Sequence, residues 1–126
     1  MPLSPAAKPV AFVFTANREK SRPFYADVLG LELISEEPFG IVFDLGGGAT
    51  LRLTDLKDHV PGPHTVLGWE VPDIREAMAD LRAHGVTFEI YEGFGQDAEG
   101  VWSFGGVSLA WFNDPEGNNL SIAQHG

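Results

Sequence analysis

Val10-Ala11-Phe12-Val13-Phe14-Thr15-Ala16-Asn17 and Val66-Leu67-Gly68-Trp69-Glu70-Val71-Pro72-Asp73 stand 56 positions apart and read the same way. Each opens with a run rich in β-branched and aromatic residues, a strand signal, and closes on an Asn or Asp suited to cap a helix. Behind Asn17, the positions Phe24, Tyr25, Val28 and Leu29 mark one helical face, and Gly30 supplies a stop. Pro23 lacks a backbone donor, so the regular helix is expected to begin close to Ser21 after a looser turn. Behind Asp73, Glu76 has capping-box spacing, Ile74, Ala77, Met78 and Leu81 form a helical stripe, and Gly85 ends it. Gly30 and Gly85 are 55 apart, so strand, capped helix and glycine stop recur in register.

Three strand candidates follow each glycine. In the first half they are Leu31 to Ser35, Ile41 to Leu45 and Thr50 to Leu53. Gly46-Gly47-Gly48 joins the last two; it lies between strands and lacks a Gly-Lys-Ser/Thr ending, so it reads as a hairpin turn rather than a phosphate loop. In the second half the candidates are Val86 to Tyr91, Val107 to Phe112 and Asn119 to Ala123, the last two joined by Asp114-Pro115-Glu116-Gly117-Asn118. One domain over residues 1–126 is expected, with repeat units at 8–54 and 65–124 and a linker at 55–64 that carries Pro61-Gly62-Pro63. The segment Glu92 to Gly106 is longer than its first-half counterpart and holds Trp102 and Phe104 among glycines. Two readings stand for it: a loop that covers a ligand, or aromatics folded back as a satellite core.

A chain of 126 residues can bury a core unaided. The absence of cysteine excludes disulfides and thiolate metal sites, and no apolar run approaches a membrane span. Met1-Pro2-Leu3-Ser4-Pro5 lacks the basic start and apolar stretch of a signal peptide, so a cytoplasmic protein is expected. A net charge of −10 with only eight Lys and Arg argues against nucleic acid as a partner. It favours solubility and, secondarily, a cationic ligand.

The order of elements, the segment Ser21-x-x-Phe24-Tyr25-x-x-Val28-Leu29-Gly30-Leu31 and the turn Asp114-Pro115-Glu116-Gly117-Asn118 resemble the vicinal oxygen chelate superfamily, which includes glyoxalase I, extradiol dioxygenases, and fosfomycin and bleomycin resistance proteins. The likeness spans about residues 8 to 124. It implies an α+β fold of two tandem βαβββ units whose curved mixed sheet wraps a central cup, with helices on the convex side. A homodimer and a small-molecule ligand held in the cup are implied with it. Strand alternation then turns Val10, Phe12 and Phe14, and likewise Val66, Gly68 and Glu70, toward the cup, with Ala11, Val13, Leu67, Trp69 and Val71 toward the helices. Thr50, Arg52, Thr54, Asn119, Ser121 and Ala123 belong to the cup as well.

Metal-dependent members of that superfamily place His, Gln or Glu at positions that match Val10, Arg52, Val66 and Ser121 here. Two hydrocarbons, a permanent cation and a neutral hydroxyl do not make a divalent-metal site, so no metal or other cofactor is expected. A shifted site using His64 and Glu70 is the alternative. Otherwise His59 and His64 read as linker, His84 as a helix C-terminus and His125 as the tail. The candidate ligand-binding residues are Phe12, Phe14, Arg52, Glu70, Trp102, Phe104 and Ser121, with no catalytic residue. Arg52 suits an oxyanion and Glu70 a ligand donor, unless each is satisfied by an ion pair or by solvent. Trp102 and Phe104 suit stacking, whereas Trp69 and Trp111 read as packed beneath helices or at an interface. Binding without catalysis is therefore expected. The alternative is a metal-dependent lyase, isomerase or dioxygenase of the glyoxalase type.

Overall fold

The structure is a computed structural model that describes residues 2–126. It contains two compact units that divide between His59 and Val60. In the first, β1 (Val10–Thr15) leads into α1 (Arg18–Pro23) and a π-helical turn (Phe24–Val28), then β2 (Leu33–Glu37), β3 (Gly40–Gly46) and β4 (Ala49–Asp55). In the second, β5 (Thr65–Glu70) leads into α2 (Ile74–Ala83), then β6 (Trp102–Phe104), β7 (Val107–Asn113) and β8 (Asn119–His125). The sheets have the orders β1-β4-β3-β2 and β5-β8-β7-β6, the same arrangement twice. In each, the first and last strands pair in parallel and the remaining pairs are antiparallel. This is the α+β architecture of two mixed four-stranded sheets that the sequence implies. No helix among the described residues is long and apolar enough to cross a membrane.

Alternation sorts each sheet into a helix-covered face and an open one. Val13, Leu51, Leu53, Ile41 and Phe43 are buried against Tyr25 and its helix, whereas Val10, Phe12 and Phe14 are exposed. In the second unit Leu120, Ile122, Ala110 and Phe112 are buried with Ile74 and Met78 of α2, and Val66, Gly68 and Glu70 are exposed. Burying a Phe or Leu side chain contributes about 1.5–3 kcal/mol, so these two small cores carry the stability of the units.

The helix of the first unit departs from the expected start. It begins at Arg18, not near Ser21, because the Asn17 side chain accepts from the Lys20 amide at 3.3 Å and Ser21 is fixed by a buried hydroxyl contact with Thr15 at 2.9 Å. Pro23 acts downstream instead. Beyond it the amide of Leu29 reaches the carbonyl of Phe24, five residues back, at 2.9 Å. Asp73 caps α2 as expected, accepting from the Glu76 amide at 3.1 Å.

Strand limits shift at several places. β2 sits two residues later than expected, and β3 and β4 are longer at both ends, so Asp55 belongs to β4 rather than to the linker. β8 runs on to His125, which is therefore a strand residue and not a tail. The glycine run at 46–48 is a tight turn with all three φ angles positive, as a β-hairpin connection requires.

The largest correction falls at Val86 to Tyr91. Only Phe88 pairs with β7, through a bridge to Phe112, and the Glu89 amide donates to the Trp111 carbonyl at 2.8 Å. The chain then leaves the sheet and returns as β6, where Trp102, Ser103 and Phe104 pair with Leu109, Ser108 and Val107. Trp102 and Phe104 thus stand on an edge strand, not in a loop.

Candidate functional site

The sequence-derived site residues fall into two groups, one on the open face of each sheet. On the first unit, Phe12, Arg52 and Val42 form one cross-strand row, and Phe14, Thr54 and Gly40 the next. Arg52 places its guanidinium over the ring of Phe39, 5.5 Å from the centroid. Its Nε is buried without a hydrogen-bond partner, and among the described residues no carboxylate of its own unit pairs with it. The other arginines of this unit are engaged elsewhere: Arg18 with Asp55 and Arg22 with Glu36, contacts that raise both guanidinium pKa values. Phe14 packs against His59 with ring centroids 5.9 Å apart.

On the second unit, Glu70, Ala123, Leu109 and Trp102 form one row across four strands. His125, Val107 and Phe104 form the adjacent row, and Gly68, Ser121 and Trp111 the one on the other side. Trp111 therefore belongs to the open face, which removes the first of its two expected places, beneath a helix or at an interface, while Trp69 shares the helix-side face with Ile122. The rings of Trp102 and Phe104 are stacked, with centroids 6.0 Å apart and planes 18° apart. Phe104 is 74% exposed.

Residues 90–101 supply further rings that sequence reasoning did not assign to the site. Phe94 lies 5.9 Å from Trp102 and 5.5 Å from Trp111, and Tyr91 lies 5.9 Å from Trp111. The Tyr91 hydroxyl accepts from Asn119 at 2.9 Å, which anchors this segment on the open face. The aromatics pack as a satellite cluster in which Tyr91, Phe94 and Phe104 remain exposed. Aromatic density among glycines was the available signal.

Side chains replace the missing ladder along this excursion. Gln96 donates to the carbonyls of Glu89 and Gly100 at 2.9 and 2.6 Å and accepts from the Tyr91 amide at 2.7 Å. Asp97 accepts from the amides of Glu99 and Val101, both at 2.9 Å, and from Arg75 at 2.6 Å. The Arg75 hydrogen bond, reinforced by those backbone donors, lowers the Asp97 carboxyl to about 2.

Three further positions bear on chemistry. Glu70 pairs through Oε1 with Nδ1 of His125, a partner brought into reach by the extension of β8. Ser121 Oγ lies 2.5 Å from where a Cβ on Gly68 would stand, so the absence of a side chain at Gly68 makes room for that hydroxyl. Ser121 and His125 are four residues apart on one strand, about 13 Å, too far for a base to activate the hydroxyl. The turn at 114–118 sets the start of β8, with Asp114 accepting from the amides of Glu116 and Asn118 at 2.9 Å.

The residues present do not fit a metal. Val10 and Val66 offer hydrocarbon, Arg52 a cation and Ser121 a neutral hydroxyl. His64 lies just before β5 and Glu70 closes it, so the span of that strand, about 17 Å, separates the two residues of the shifted site. Among the described residues no three His, Cys, Asp or Glu side chains converge.

Comparison with known proteins places this arrangement. A protein of Bacillus anthracis assigned to the glyoxalase family shares the fold over 100% of both chains, with a TM-score of 0.75 and 17% identity. TnmS3, an antibiotic binding protein from Streptomyces sp. CB03234, gives a TM-score of 0.71 at 21% identity, covering 98% of this chain and 99% of its own. Lactoylglutathione lyase from Agrobacterium tumefaciens gives 0.65 at 17% identity, covering 96% and 95%. No match is found among curated protein sequences. At these identities the structural likeness establishes the fold alone. The family model for the Glyoxalase/Bleomycin resistance protein/Dioxygenase superfamily matches residues 8–122, and the chain belongs to that superfamily.

Proposed function

We propose that this protein binds a small planar molecule, without metal and without chemical turnover, on the open face of the second unit. The observation that carries the reading is the parallel pair of half-buried Trp102 and exposed Phe104, continued inward by Phe94 and Trp111. Parallel rings at an exposed edge offer a stacking surface to a flat ligand, and aromatic stacking contributes about 0.5–1.5 kcal/mol beyond area burial. The donor set at the family's metal positions supports binding without an ion. TnmS3, an antibiotic binding protein of the same fold, shows that the architecture is used for binding elsewhere. On the first unit, the half-buried Arg52 offers the terminal nitrogens of its guanidinium as an oxyanion contact on that sheet's own face.

The test is titration with acridone, a neutral tricycle, followed by tryptophan fluorescence in the presence of a chelator. Quenching is expected, and Trp102→Ala should weaken binding by about threefold to tenfold. Unchanged affinity in that variant, or binding that disappears with the chelator, would sink the proposal.

A further inference from the structure

We infer that the ligand of the second unit is a planar cation, its rings on Trp102 and Phe104 and its charged nitrogen at Glu70; this rests on the binding reading above and assigns the ligand its charge. The row Glu70, Ala123, Leu109, Trp102 crosses three strand spacings, about 14 Å between its end Cα atoms. Its interior members, with Val107 of the adjacent row, are half-buried and uncharged. They form an apolar floor between a carboxylate at one end and an aromatic pair at the other. His125 occupies Glu70 Oε1 and leaves Oε2 without a partner among the described residues.

Charge complementarity selects the sign of the ligand. Residues 60–126 hold ten Asp and Glu against two Arg, whereas residues 1–59 hold eight against six Lys and Arg. Both arginines of the second unit stand on α2 and are committed to Asp97 and Glu99. The open face is thus left with Glu70 and no permanent cation of its own unit to neutralise it, and the surrounding field draws a positive ligand. A ring system on indole and phenyl faces gains further from cationic character.

Three acridine-type probes separate the possibilities: quinacrine, with a protonated dialkylamine arm; neutral acridone; and anionic acridone-10-acetic acid. Affinity is expected to fall in that order. Glu70→Gln, a substitution at an exposed strand end, should weaken quinacrine about fivefold more than it weakens acridone. If acridone binds in a Trp102-dependent way but Glu70→Gln affects quinacrine no more than acridone, the cation assignment fails and the binding reading stands. If neither quinacrine nor acridone binds, the binding reading fails and this inference with it.

Discussion

The two units build one sheet twice and part company at a single position. In the first, β2 follows β3 from Leu33 to Glu37, broken only by a bulge beside Ile34. In the second, Phe88 takes the place of Leu33, but the chain then departs and regains β7 only at Trp102. Where one unit spends a single extra residue, the other inserts a segment that carries Tyr91 and Phe94 onto the open face. The difference teaches that an edge strand of this fold can be interrupted without losing the sheet. The strands inside it, β7 and β8, keep their full register, and Gln96 and Asp97 satisfy the backbone groups that the interruption strands. The first unit's face remains a simple apolar row around Arg52, and the second's becomes an aromatic platform.

Substitutions at one crowded glycine in each unit test how far the likeness goes. Gly40 and Gly68 both sit where a Cβ would collide, but at Gly40 the obstacle is the backbone carbonyl of Leu53 at 2.3 Å, whereas at Gly68 it is the Ser121 hydroxyl. Gly40→Ala should therefore destabilise by about 3 kcal/mol and Gly68→Ala by about 1 kcal/mol in urea unfolding. Ser121→Ala should relieve most of the second cost and none of the first. Equal costs at the two glycines would break the comparison.

An effect smaller than that at Gly40 is expected from Gln96→Ala, which removes three hydrogen bonds from the excursion. Net losses of about 1–2 kcal/mol should appear as local opening, read as faster amide exchange at Tyr91 with β7 and β8 unchanged. Global destabilisation would mean that the segment belongs to the core of its sheet. Arg52→Met should do the opposite of most substitutions, leaving stability unchanged or raising it by about 1 kcal/mol, because it replaces a buried unsatisfied donor with an apolar chain of similar length. A loss of 2 kcal/mol or more would show that Arg52 holds the first sheet together.

The smallest effect concerns acid. The Asp97 carboxyl is held below its usual value in the folded protein, so its contribution is complete above pH 3.8 and is lost as pH falls toward 2. Exchange protection in residues 90–101 should decline over that interval in the wild type. Asp97→Asn should flatten the decline, and an unchanged profile in that variant would remove Asp97 as its cause.

The repeat, the caps at Asn17 and Asp73, and the facing of β1, β4, β5 and β8 were legible because each rests on local chemistry or on a period of two. The same alternation turned Phe12, Phe14, Arg52, Glu70 and Ser121 to the open faces, whereas Trp102 and Phe104 were expected in a loop and stand on an edge strand. The interruption of the strand after Phe88 was not legible. Val86 to Tyr91 is β-branched or aromatic at every position but Glu89, and nothing local distinguishes a ring that pairs in a sheet from one that leans over it. His125 was missed for a related reason: its pairing with Val107 is set by β7, and so is its meeting with Glu70. Pro23 was read for the bond it lacks, whereas the helix kept its start and widened one turn later.

The brevity of β6 also bears on what this protein avoids. A sheet edge is a template on which another chain can grow, and long flat hydrophobic edges seed aggregation. β6 offers three residues before Gly105 and Gly106 turn the chain away, too few to hold a foreign strand. The matching edge in the first unit is longer but carries Ser35, Glu36 and Glu37 and runs into Pro38, so an incoming strand meets negative charge and then a missing donor. The same interruption that sets an aromatic platform on one face therefore leaves the sheet edge beside those rings too short for a neighbouring chain to extend.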